Sequence, residues 1–214
     1  MDRWATFDCY GTLIDWNGGI GRELERLYGS ERAAHLLHEY HEVEPQVQRE
    51  TPEMSYRDVM AATLSRISHV PPGEEDALGR SLPGWTTFPE VRESLEEARS
   101  RGWKLVVLSN TDREFIDASM EQIGVPFELA IVASEIGSYK PAIRHWEEFC
   151  ERTGADPSRH VHVGASLFHD ITPARELGLP SVWINRLGEE PKPQPDVELR
   201  SLSGLADALD SLVA

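Results

Sequence analysis

Only two cysteines occur in the 214 residues, Cys9 and Cys150, too few for a disulfide framework, and both read as reduced thiols. Basic side chains are scarce as well: 21 Lys and Arg stand against 37 Asp and Glu, a net charge of −16. Such a surface repels phosphate backbones and anionic lipid, which argues against nucleic acid and membranes as partners. It does not exclude a small anion, because a few cations and backbone N–H groups can be gathered in one pocket. No apolar run reaches the length of a membrane span. The run from Trp4 to Phe7 is also too short for a secretory leader, so a cytoplasmic protein is expected. Internal repeats and low-complexity tracts are missing, and one irregular surface loop is expected at Gly188 to Pro195.

What is present is an alternation. Short apolar runs end in polar turns at Trp4–Phe7, Lys104–Leu108, Leu129–Val132, His160–Val163 and Ser181–Ile184, and helical periodicities separate them, as with Val91, Leu95 and Ala98. This predicts an α/β fold, a doubly wound, Rossmann-like parallel sheet of about five strands. Ligands of such sheets bind beyond the carboxyl ends of the strands, where Asp8, Ser109-Asn110 and Gly164 onward all fall. Between Trp16 and Pro83 the strand signals stop. Helical patterns run over Ile20–Tyr28, Glu31–Gln48, Ser55–Ile67 and, more weakly, Glu74–Leu82. Residues 16–83 therefore read as an inserted α-helical cap, and residues 1–15 with 84–214 as the core domain. Asn17-Gly18-Gly19 and Pro83-Gly84 are expected as hinges.

Four segments carry the chemistry: Asp8-Cys9-Tyr10-Gly11-Thr12-Leu13, Ser109-Asn110, Tyr139-Lys140-Pro141 and Gly164 to Asp170. A carboxylate is a poor nucleophile in water and a useful one when desolvated, oriented and held ionised by a cation. Asp8 with Lys140 would supply that pair. Plainer roles stand beside these: helix capping for Asp8, an exposed helix start for Lys140, and turn chemistry for Thr12, Ser109 and Asn110.

In order and interval the four segments resemble the motifs of the haloacid dehalogenase superfamily, with a cap inserted after the first motif as in its type II L-2-haloacid dehalogenase branch. The resemblance implies a hydrolase working through an aspartyl ester on a small 2-substituted carboxylic acid, without a cofactor. Asp8 would be the nucleophile, and Lys140, Asp170, Ser109 and Thr12 would complete the catalytic set. Tyr10, Asn110, Ser166, His169 and Trp16 would bind substrate. The dehalogenases receive the halide on an arginine of the first long cap helix; here that place falls near His38, with Arg49 further along. A homodimer is left open.

Two departures bear on the reaction. Superfamily phosphatases have an aspartate two residues after the nucleophile and an acidic fourth motif for magnesium, whereas this chain has Tyr10 and Ala165. Neither replaces a carboxylate at neutral pH, so chemistry without metal is expected over a magnesium-dependent phosphatase, while the joint presence of Asp8, Ser109, Lys140 and Asp170 argues for an enzyme over a non-enzymatic binder. The string Ser166-Leu167-Phe168-His169-Asp170 resembles the azetidine-2-carboxylate hydrolase branch, which implies cleavage of a carbon–nitrogen bond as the alternative to carbon–halogen cleavage. His169 would then donate a proton to a departing amine, or else only orient its loop.

Overall fold

In the computed structural model, which describes residues 2–213, each predicted apolar run forms a strand. These are β1 (Arg3–Phe7), β2 (Trp103–Ser109), β3 (Leu129–Val132), β4 (His160–Gly164) and β5 (Ser181–Ile184). A sixth, β6 (Val197–Leu199), corrects the expected count of about five. It escaped the sequence reading because three residues, with Glu198 exposed at the centre, carry no period. The sheet is parallel throughout, in the order β3-β2-β1-β4-β5-β6.

β1 and β4 are flanked on both sides, so their residues are buried on both faces. Full burial of a side chain such as Leu105 or Val107 contributes about 2 kcal/mol each to holding this centre together. The register aligns Phe7 with Val107 on one side and Val163 on the other. The chain leaves β1, β2 and β4 side by side, at the point where the strand order reverses. Asp8, Ser109 and Gly164 meet there.

The cap consists of α1 (Trp16–Tyr28), α2 (Ser30–Glu50), α3 (Tyr56–Ile67) and a short α4 (Ala77–Ser81) that runs into a 3-10 turn at Leu82–Gly84. The weak fourth helical signal is therefore one short helix plus a turn. The core contributes α5 (Val91–Ser100), α6 (Arg113–Ile123), α7 (Ala133–Ile136), α8 (Arg144–Thr153), α9 (Thr172–Glu176) and α10 (Leu205–Leu212). No helix among the described residues is long and apolar enough to cross a membrane.

The two crossings between core and cap run side by side. Asp15 N–H donates to the Thr86 carbonyl at 2.9 Å and Phe88 N–H to that of Leu13 at 3.1 Å. Two of the glycines expected as a hinge are also places of close packing. Gly18 and Gly19 lie in the first turn of α1, and a Cβ at Gly19 would sit 2.2 Å from the Trp85 ring. Gly84, by contrast, has open space around it. Core and cap are also clamped at a distance from the crossings. The Asp112 carboxylate accepts from the Tyr56 and Arg57 N–H groups, both at 2.9 Å, capping α3 from the core side.

Candidate active site

Asp8 follows β1 directly, and both of its oxygens are engaged. Lys140 Nζ donates to Oδ1 at 3.0 Å and Thr12 Oγ1 to Oδ2 at 2.8 Å. The same ammonium lies 2.6 Å from Asp170 Oδ1, whose partner Oδ2 accepts from Ser166 N–H at 3.1 Å. Lys140 and Asp170 are buried completely or nearly so, and Asp8 is 9% exposed. Burial pushes Asp8 up to about 6, helped by the Asp170 charge and opposed by Lys140 and Thr12. Burial acts on Asp170 too, yet Lys140 and His162 hold it well below the usual carboxylate range. Lys140 is raised by its two carboxylates against the cost of burial, so it stays an ammonium.

Local structure explains these positions. Gly11 adopts φ +90, which turns the chain so that Thr12 reaches back to Asp8 and also accepts from Ala165 N–H at 2.9 Å. Asp170 lies in a single π-helical turn, Leu167–Ile171, whose wider winding aims it back under the sheet end. Gly164 permits that approach, since a Cβ there would lie 2.5 Å from Asp170.

Of the other residues singled out from the sequence, Tyr10, Trp16, Ser109, Asn110, Ser166 and His169 all line one cavity of about 730 Å³ with Asp8. Ser109 Oγ is buried there without a hydrogen-bond partner. Asn110, expected as a substrate binder, also braces the lysine. Its side chain donates to the Lys140 carbonyl at 2.9 Å and accepts from the Lys140 N–H at 2.6 Å, so its amide fixes the lysine. The Tyr10 hydroxyl is turned to Ser119 at 2.9 Å, leaving the ring to form wall. Trp16 donates to Tyr56 Oη at 3.0 Å.

Ser166 Oγ accepts from the His169 N–H at 3.0 Å and lies 3.1 Å from Nδ1. That contact forms with the proton on either atom, and in the tautomer where Ser166 donates to Nδ1 the ring proton is on Nε2. Nε2 is buried without a partner. Burial lowers His169 to about 4, so the ring is neutral at pH 7. His169 and Asp8 line the same cavity, where that tautomer would present an N–H donor.

The cap residues need correction. His38 and Arg49 are exposed and line no part of the cavity. The reason is helical phase: at about 100° per residue, both lie near the opposite side of α2 from buried Tyr40. The residues of α2 that do line the cavity are His41, Glu44, Pro45 and Gln48. Glu44 accepts from Tyr56 Oη at 2.7 Å, and burial pushes it up to about 7. Glu44 lies four residues from Tyr40, on the same helical face, a spacing whose meaning depends on knowing that Tyr40 is buried. Arg186, which lines the cavity past β5 and donates to the Thr12 carbonyl at 2.8 Å, sits at a strand end where it was findable. His162, 3.4 Å from Asp170, and His145, whose Nε2 lies 3.1 Å from the Ser109 carbonyl, were not singled out.

The site does not suit a hard divalent cation. All four oxygens of Asp8 and Asp170 already accept hydrogen bonds, Ala165 offers no side-chain oxygen, and among the described residues no three His, Cys, Asp or Glu side chains cluster as ligands.

Comparisons with known proteins show the family to which these features belong. A family model described as haloacid dehalogenase-like hydrolase matches residues 3–178. The (S)-2-haloacid dehalogenase of Pseudomonas sp. (strain YL) is 30% identical over 96% of this chain and 93% of that protein. The (S)-2-haloacid dehalogenase 4A of Burkholderia cepacia is 26% identical over 89% of this chain and 86% of its own. The L-2-haloacid dehalogenase of Xanthobacter autotrophicus, solved with chloropropionic acid covalently bound, superposes with a TM-score of 0.86 at 17% identity, covering 98% of this chain and 99% of that one.

Proposed function

This chain belongs to the haloacid dehalogenase-like hydrolase family and is a hydrolase of the 2-haloacid dehalogenase type. From that premise we propose that Asp8 attacks C2 of a small 2-substituted carboxylic acid, with a 2-haloacid as the first substrate class. The bond from an Asp8 oxygen to C2 forms as the bond from C2 to the leaving group breaks, and the leaving group departs with the electron pair. Water then attacks the aspartyl ester carbonyl, which releases a 2-hydroxy acid and restores Asp8. The observation that carries this reading is the setting of Asp8: buried, ion-paired to Lys140 at 3.0 Å, and facing a cavity in which Ser109 Oγ is free for a ligand.

Lys140 keeps Asp8 ionised, and Asp170 keeps Lys140 in place. Ser109 binds the substrate carboxylate, and His169 Nε2–H donates to the departing group. With no arginine of α2 lining the cavity, that N–H takes the part of the halide acceptor. A departing nitrogen, on which a lone pair develops, would use the same donor. The second reading, hydrolysis of a carbon–nitrogen bond, is favoured by this geometry together with the acidic cap wall.

The test is to mix the protein with 2-chloropropionate, quench within one turnover, and digest. A peptide containing Asp8 should gain the mass of the propionate ester, with one chloride released per ester. A full yield of chloride without modified Asp8 would overturn the covalent reading.

A further inference from the structure

The cavity is acidic for a site that binds carboxylates. Besides Asp8 and Asp170 it is lined by Asp15, Glu44 and Glu189, and the only Lys or Arg side chains lining it are Lys140 and Arg186. Neither is a free counter-ion. Lys140 is shared between Asp8 and Asp170, and Arg186 is paired with Glu90 at 2.8 Å and bound to the Thr12 carbonyl. Asp15 is spent as the cap of α1, accepting from Gly18 N–H at 3.0 Å. Glu44 differs from the others. It is 7% exposed, lies on the cap side of the cavity, and its one hydrogen-bond donor among the described residues is Tyr56 Oη, which takes Oε1.

A buried carboxylate with no cation beside it is costly, and the cost is relieved either by protonation or by a cationic ligand. The same stretch of helix is also locally irregular. Pro45 has no N–H, so the His41 carbonyl four residues earlier loses its α-helical donor, and both residues line the cavity. On this helix the cavity is lined by the Glu44 carboxyl together with His41, Pro45 and Gln48, so the one charge-bearing acid of the cap wall faces the site with no Lys or Arg of α2 beside it.

We propose that the substrate of this site is a zwitterion, a small carboxylic acid that also carries a protonated amine, and that Glu44 receives the amine. The carboxylate end goes to Ser109 on the core side and the ammonium to Glu44 on the cap side. This rests on the reading of Asp8 as acting on a carboxylic acid, and it sharpens that reading by naming the second charged group. Burial lifts Glu44 to about 7, and an ammonium alongside would restore the ordinary, ionised carboxylate.

The test measures binding alone, so it does not depend on whether Asp8 forms an ester. In the Asp8→Asn protein, which cannot turn over, titration calorimetry compares two isosteric pairs: azetidine-2-carboxylate with cyclobutanecarboxylate, and 4-aminobutyrate with pentanoate. At least one amine should bind about ten-fold or more tighter than its carbon counterpart. Adding Glu44→Gln should erase that preference to within about two-fold while leaving the affinity for the all-carbon acid unchanged. Glu44→Leu, which replaces a buried charge with an apolar side chain of similar size, guards against a misfolded glutamine variant and should behave alike. Equal binding within both pairs, or a preference that survives both substitutions, overturns the proposal. A parallel loss for both members of a pair also overturns it, because that outcome marks Glu44 as a brace for Tyr56 and Trp16. Failure of the ester-trapping experiment alone would sink the covalent reading and leave this one standing.

Discussion

The floor and the roof of the cavity are built on different principles. On the floor, Asp8, Ser109 and the Gly164 to Asp170 segment follow strand ends whose register is fixed by a six-stranded sheet, and the chemistry sits in short contiguous strings. On the roof, α2 chooses its cavity residues by rotation. Tyr40, Glu44, Val47 and Gln48 are buried while His38 and Arg49 on the other side are exposed. Strand-end positions are displaced only by breaking hydrogen-bond ladders; a helical face changes with a small rotation of the helix. The same floor can thus serve several substrates under differently turned roofs. Substrate choice is to be sought in α2 and bond-making chemistry in the strand ends.

The largest expected effect lies on the floor. Asp8→Asn keeps the shape and removes the anion, and kcat should fall by at least about 10⁴-fold with the melting temperature little changed. Lys140→Met should match that loss and also destabilise the fold by about 3–5 kcal/mol, because it strands two buried carboxylates, Asp8 and Asp170. Kinetics with denaturant titration separate the two, and a stable, inactive Lys140→Met would break the account of Lys140 as the counter-ion of both.

The junction between the two regions comes next. Gly19→Ala puts a methyl against the Trp85 ring and should cost about 2 kcal/mol or more with a clear fall in kcat/KM, whereas Gly84→Ala, in open space, should stay within about 0.5 kcal/mol of the parent. Equal effects would restore both glycines to the hinge role expected from the sequence.

pH profiles set floor against roof. Asp8 at about 6 means that kcat/KM should rise through pH 6 and level off above it, as the anion is the reactive form. Glu44 adds a stability signature. Its pKa is raised from 4.5 to about 7, so below 4.5 both folded and unfolded chains hold the proton. As pH rises toward 7 only the folded chain keeps it, and the stability tied to the neutral form is lost, by up to about 3 kcal/mol. Unfolding titrations from pH 4 to 8 should therefore show Glu44→Gln losing less stability than the parent over that window. Identical slopes would mean that Glu44 is not desolvated.

The smallest effect is expected on the outer side of the roof. Arg49→Ala and His38→Ala should change kcat/KM by less than about two-fold, since both side chains point to solvent. A loss of a hundred-fold for either would return it to the halide-binding position implied by the resemblance.

These differences also explain how far the sequence could be read. Asp8, Thr12, Ser109, Lys140 and Asp170 were legible because each lies in a short string at a strand or helix end. The five longer strands were legible because their apolar runs end in turn formers. β6 was not, since Val197–Leu199 is too short for any period. Asn110 was placed at the cavity, but its hold on the Lys140 backbone was not legible, because a sequence does not tell which backbone groups an amide will meet. On α2 the pattern was misread in phase: counting from fully buried Tyr40 at about 100° per residue selects Glu44 and Gln48 and rejects Arg49, but the choice of Tyr40 as the anchor needed the fold.

The central claim is that Asp8 itself forms the new bond to C2. A single turnover of 2-chloropropionate by excess protein in ¹⁸O-labelled water tests it most directly. The account predicts that the 2-hydroxy acid carries an unlabelled oxygen taken from Asp8 and that the label enters the Asp8 carboxylate. Labelled product and an unlabelled Asp8 would mean that water attacks the substrate directly, and would contradict it.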